Sequence, residues 1–181
     1  MSWTKIGEHE VLDHPRMHLV EHAVELPDGT ATDYLLEINR KDYVTTIARY
    51  AGKFAMIRDY SYPNDVRLLQ FSEGWIDEGE SPEQAAVREL KEETGLRAGK
   101  IRELGTNLHD HRRSTASAHV MLAENIEDTG EARPESTEHG VEMVLLTEAE
   151  IWKKIASGEI IQKNALAAWA IYAAQSRAEV I

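Results

Sequence analysis

The order of elements predicts an α+β fold or a mixed-sheet sandwich, with strands first, one helix among them, and helices closing the sequence. Three observations carry this prediction. Short strand-like runs fill residues 17–71, a sharply capped helix follows at 81–95, and three more strand-like runs precede two helical segments.

Taken in order, residues 17–26 (MHLVEHAVEL) and 30–38 (TATDYLLEI) alternate partially and flank Pro27-Asp28-Gly29, so they read as an antiparallel hairpin. Residues 43–50 and 54–60 form a second pair around Ala51-Gly52-Lys53, and residues 66–71 a further strand. Ser81 then caps a helix, with Pro82 at its first position and Gln84 where a capping box places Glu or Gln; Gly95 ends it. Strands are predicted at 101–106, 118–124 and 141–146. Thr147 with Glu150 repeats the capping box and opens a helix to about residue 156. The last helix, 165–176, is apolar almost all round, which predicts burial in the core or against a second subunit.

Composition narrows the function. The 181 residues suit one domain with a substantial core. No apolar run approaches the roughly 18 residues of a membrane span, and MSWTKIGEHE lacks the pattern of a secretory leader. With no cysteine, a disulfide framework and a thiolate metal site are both excluded. A cytoplasmic location without a membrane partner is the expectation. The net charge of −12 argues against a nucleic-acid backbone binder, which needs basic patches. A small anionic substrate remains compatible if divalent cations screen a cluster of carboxylates.

Such a cluster lies in residues 74–96, GWIDEGESPEQAAVRELKEETGL. Glu89, Glu92 and Glu93 are three and four residues apart and project from one side of the helix, while Ala85, Ala86 and Leu90 offer core contacts. Like charges so placed repel by a few tenths of a kcal/mol per pair. Either the stripe is simply solvated or it holds cations; Mg2+ or Mn2+ suits hard oxygen donors shared with substrate phosphates.

The spacing decides between these. Gly74, Glu80, Arg88, Glu89, Leu90, Glu92, Glu93, Gly95 and Leu96 match without a gap the Nudix signature: Gly, five residues, Glu, seven residues, Arg-Glu-hydrophobic-x-Glu-Glu-x-Gly-hydrophobic. The chain therefore resembles the Nudix hydrolases, and the resemblance implies an α/β/α sandwich with a mixed sheet. It implies Glu89, Glu92 and Glu93 as metal ligands, with the carbonyl of Glu73 as an additional one. Arg88 would orient a box carboxylate, Glu80 or Glu92, and Gly74 would allow a tight backbone turn. The implied chemistry is hydrolysis in which metal neutralises a diphosphate and activates water.

Beyond the box the chain is similar to the ADP-ribose pyrophosphatase branch, in ELPDG, IRDYSYP and GEIIQKNALAAWAIYAA. That similarity implies a single Nudix domain over residues 1–181, with residues 1–40 as a hairpin that joins a homodimer and 41–181 as the catalytic sandwich. The implied reaction splits an ADP-ribose-like or other nucleoside diphosphate sugar into nucleoside monophosphate and sugar phosphate. Arg58 in IRDYSYP, the Arg112–Arg113 pair and Trp3 are candidate substrate contacts; an N-terminal tryptophan equally suits interface packing. A late-loop glutamate can help activate water in this branch, and Glu138 is preferred here over Glu135 and Glu142. Three departures surround the expected pocket: Ser61 replaces an arginine, Leu69-Gln70-Phe71-Ser72-Glu73-Gly74 stands where the branch reads LELPAG and so loses a glutamate and a proline, and His111 stands where proline is usual. They point to altered specificity with hydrolysis retained. The alternative is a Nudix-fold sensor that binds a nucleotide without turnover; the intact box disfavours it.

Overall fold

The computed structural model describes residues 2–38, 41–133 and 140–178, which divide into two compact units: Met1–Asp42 with Leu108–Ser117, and Tyr43–Asn107 with Ala118–Ile181.

In the first unit, β1 (Thr4–His14), β2 (Met17–Glu25) and β3 (Ala31–Glu37) form an antiparallel sheet in that order. The expected hairpin is β2–β3. Its turn closes where Gly29, at φ 83°, donates to Leu26 O (2.9 Å) and Asp28 Oδ1 accepts from Thr30 N (2.9 Å). β1 is an addition to the sequence prediction. Register shifts at Lys5/Gly7 and Glu10/Leu12 break its alternation, so no period of two marks it. Segment 108–117 is stitched to β3 by Glu37 N–H to Arg113 O (2.6 Å) and Thr115 N–H to Glu37 O (3.2 Å).

The second unit is built on a seven-stranded mixed sheet. β4 (Tyr43–Tyr50) and β5 (Lys53–Ser61) join through a two-residue turn with Ala51 at φ 50° and Gly52 at φ 75°, a pair of positive angles that matches strand twist. The two strands then part. β6 (Val66–Gln70) pairs with the far half of β5, and β7 (Ser72–Trp75) with the first half of β4. β9 (Ser117–Asp128) runs parallel to β4, β8 (Leu96–Leu108) lies beyond it, and β10 (Glu142–Leu146) borders β5.

Strand alternation sends side chains to two different layers. Val44, Ala48, Met121 and Ala123 face α1 (Pro82–Thr94), packing with Ala85, Ala86 and Leu90. Ile47, Val120 and Leu122 face the opposite way, into a core with Ile151 of α2 (Glu148–Ala156) and Ala165, Ala168, Trp169 and Tyr172 of α3 (Lys163–Ala178). The result is an α/β/α sandwich. Phe54, Phe71, Trp152 and Tyr172 surround Trp169, with ring centroids 5.0–6.1 Å apart; truncating so buried a ring costs about 3–5 kcal/mol. Within this chain the buried residues of α3 form one stripe, Asn164, Ala165, Ala168, Trp169 and Tyr172, with Leu166 and Ile171 partly buried against the same core. No helix among the described residues is long and apolar enough to cross a membrane.

Candidate active site

The site is assembled where β7 meets α1. Ser81 and Gln84 exchange hydrogen bonds, Ser81 N–H to Gln84 Oε1 (2.8 Å) and Gln84 N–H to Ser81 Oγ (3.3 Å), so α1 starts at one defined residue. Gly95, at φ 73°, ends it and donates to Lys91 O (2.9 Å). With both ends fixed, the azimuth of each glutamate is fixed as well. Glu89 and Glu93, one turn apart, face inward and are 8% and 5% exposed; Glu92 lies at the edge of the same side.

Gly74 explains how Glu89 fits. Its φ is not in the left-handed region, so the need for glycine is one of space: a Cβ there would come 1.9 Å from the Glu89 carboxyl carbon. The backbone of β7 thus approaches a carboxylate more closely than any side chain would allow.

Arg88 lies among the acids of the box. Its Nε and Nη2 donate to the two oxygens of Glu80 (both 2.9 Å), and Nη1 donates to Glu89 (2.6 Å) and Glu92 (3.2 Å). Nη2 also reaches the Trp75 carbonyl (2.8 Å), and Asp77 stands 3.8 Å away. The bonds to Glu80 above all, then those to Glu89, raise the guanidinium's pKa, so it stays charged. The predicted orienting role named Glu80 or Glu92; the structure places Arg88 on both and on Glu89.

The donor set suits a hard divalent cation. Asp77, Glu80, Glu89 and Glu92 set four carboxylates around one guanidinium, and Glu93 follows on the same helix; Glu89 and Glu93 are nearly buried. Among the described residues no three such side chains converge as a coordinating group; Glu80, Glu89 and Glu92 turn toward Arg88 instead. An open pocket of about 240 Å³ beside the helix is lined by Arg88, Lys91, Glu92, Glu131 and Arg133. None of Lys91, Glu131 and Arg133 is a candidate from the sequence; Lys91 lies on α1 itself, whereas only folding brings the 131–133 segment to α1, through Arg133 N–H to Glu92 O (2.7 Å).

The carboxylate of Glu73 points away from the box, toward α3. Part of the residue's surface stays open while the carboxylate sits deep. Burial raises its pKa above the ordinary 4.5, opposed by hydrogen bonds from Asn164, Thr45 and Gln162.

The other predicted residues lie on other elements. Arg58, on β5, pairs with Glu159 at 3.6 Å. Glu142 is exposed on β10, opposite Arg58 in the register. Arg112 and Arg113 belong to the first unit, as does Trp3, whose ring meets Tyr34 edge-on at 5.6 Å. Glu135 and Glu138 lie outside the described residues.

Comparison with known proteins identifies the family. A family model described as NUDIX domain matches residues 40–168. The chain is 26% identical over 155 residues to an ADP-ribose pyrophosphatase of Bacillus subtilis (strain 168), covering 86% of this chain and 84% of that protein. It is 37% identical over 81 residues to an ADP-sugar pyrophosphatase of Mus musculus, a match spanning 44% of this chain and 37% of that protein. A crystal structure of an ADP compounds hydrolase superposes with a TM-score of 0.89 over 99% of this chain and 96% of that one, at 19% identity, which establishes a shared fold.

Proposed function

From the premise that the chain belongs to the NUDIX domain family and is a Nudix hydrolase, we propose that it hydrolyses the diphosphate bond of an ADP-ribose-like or other nucleoside diphosphate sugar with Mg2+ or Mn2+. The observation that carries this reading is the packing of Glu89 over Gly74 with Arg88 holding Glu80, Glu89 and Glu92. The names of the two pyrophosphatase relatives support the substrate class.

Glu89, Glu92 and Glu93, with the carbonyl of Glu73, would hold the cation. Once bound, it supplies charge neutralisation of the diphosphate and a lowered pKa for water. The chain's own residues set the rest. Arg88 fixes the box carboxylates, and the pocket cations Lys91 and Arg133 favour phosphate oxygens. Water attacks one phosphorus, the bridging P–O bond breaks, and nucleoside monophosphate and sugar phosphate leave. A carboxylate accepts the water's proton, and Glu138 is our candidate.

We also read the first unit as a homodimer element. Trp3, Ile6, Val11, Leu12, Met17 and Leu35 are each more than two-fifths exposed on or beside its small sheet, a concentration of apolar surface that favours association. Trp3, Arg58, Arg112 and Arg113 stay as proposed substrate contacts in the assembled enzyme.

The test is turnover with Mg2+ or Mn2+ across ADP-ribose, other nucleotide sugars, dinucleotides and nucleoside triphosphates. Release of monophosphate from a nucleotide sugar, lost by several orders of magnitude in a folded Glu93→Gln variant, is the expected result. Binding without turnover on the whole panel would favour the sensor reading instead.

A further inference from the structure

Tyr43, Thr45, Glu73 and Trp75 are register neighbours on β4 and β7 and share the sheet face that α3 covers; Gly74, between the last two, faces α1. Adjacent residues of one strand therefore address opposite layers of the sandwich. Whatever holds Glu73 on one side limits where Gly74 sits on the other.

Glu73 is held by donors. Asn164 Nδ2 donates to Oε1 (3.0 Å) and Oε2 (2.9 Å), Thr45 Oγ1 donates to Oε2 (3.0 Å), and the Gln162 side chain adds a bond while Lys163 adds positive charge. Asn164 is 3% exposed, and both ends of its amide are hydrogen-bonded. The NH2 lies within hydrogen-bond distance of both Glu73 oxygens, and Oδ1 accepts from Tyr43 OH at 3.1 Å. Gln162 is also tied down, because its Oε1 accepts from Ala165 N at 2.6 Å. An apolar pair would join β7 to α3 without burying polar groups, so mere adhesion does not account for this network. What directed hydrogen bonds add is a fixed position.

We propose that Asn164 is a positioning residue for hydrolysis: by clamping Glu73 on the α3 face of β7, it sets the place of the Gly74 backbone against the Glu89 carboxylate on the α1 face. The proposal rests on the box being the reaction centre. It assigns a role to a residue 91 positions from its partner, outside the 74–96 motif.

A carboxylate–amide swap tests it. Asn164→Asp sets two carboxyl groups against each other, and Glu73→Gln replaces one of the two acceptor oxygens with an NH2 donor. Each should lower kcat about ten- to a hundredfold with KM little changed, as expected for a misplacement on the order of 1 Å. The double variant Glu73→Gln/Asn164→Asp restores an amide donor facing a carboxylate, with Tyr43 still donating, and should recover kcat to within about threefold of the parent. Thermal unfolding of all four proteins shows which are folded. Should a single variant not fold, Tyr43→Phe, which removes one hydroxyl, should still lower kcat a few-fold. Parental kcat in both single variants, or a folded double variant no better than the worse single one, would overturn the proposal. Glu93→Gln run alongside separates the failures: if it stays active, the box is not the reaction centre, whereas if it is silent and the swap has no effect, only the clamp is wrong.

Discussion

The Glu89 carboxylate occupies the space in which a side chain at Gly74 would begin, 1.9 Å from an ideal Cβ. The atoms in conflict are the far end of a flexible side chain, so Gly74→Ala has an escape: Glu89 swings away. The variant should fold, at a cost of about 1 kcal/mol for a displaced rotamer. Its turnover should fall on the order of 10²-fold through the misplaced carboxylate. Calorimetry and kinetics together check this; a folded variant with parental activity would show that Glu89 need not lie there.

Arg88 contacts three glutamates and a carbonyl with a planar fork that lysine lacks. Arg88→Lys keeps the charge and loses the simultaneous bonds to Glu80, Glu89 and Glu92. Activity should drop about ten- to a hundredfold, the range seen when groups supporting metal ligands are changed. Equal activity would mean that charge alone suffices.

Four carboxylates around one guanidinium, with Glu93 nearly buried on the same helix, should make the unfolding temperature depend on divalent cations. At Mg2+ about 100-fold above its Kd, binding adds about 2.7 kcal/mol, or roughly 5–10 °C for a chain of this length. The rise should shrink in Glu89→Gln. A calorimetric scan in chelator and in Mg2+ measures both, and an unfolding temperature indifferent to Mg2+ or Mn2+ would count against the metal site.

Burial raises the Glu73 pKa from 4.5, which fixes the sign of a stability effect. A group whose folded pKa is raised contributes its stability below the unfolded value and loses it as pH rises through the folded one. Relative to Glu73→Gln, the parent should therefore become less stable as pH climbs from about 4.5 toward neutrality. A difference that instead grows in the parent's favour would mean that the donors from Asn164 and Thr45 outweigh burial.

Leu35 is 53% exposed on β3. If the first unit mediates association, Leu35→Lys should shift sedimentation from dimer toward monomer with the unfolding transition of the catalytic unit retained. An unchanged mass would direct the dimer reading to other surface.

Local chemistry made much of this protein legible before folding. The caps at Ser81/Gln84 and Thr147/Glu150 depend on contacts three residues apart, so both helix starts are readable, and the structure realises both capping boxes. Alternation located most of the sheet. It failed for β1, whose two irregularities break the period, and for β7, a four-residue strand that reads as loop because only pairing with β4 makes it extended.

The sequence by itself determined the Nudix box, the span of α1 and the spacing that gathers Glu89, Glu92 and Glu93 on one side, because a helix converts residue intervals into angles. Only the tertiary structure decided that Glu89 packs on Gly74, that Arg88 reaches three glutamates and a carbonyl at once, and that Asn164 meets Glu73 across 91 residues. Those contacts depend on sheet register and on which face each strand residue takes. Both are set by pairing between distant segments, and no local interval encodes them.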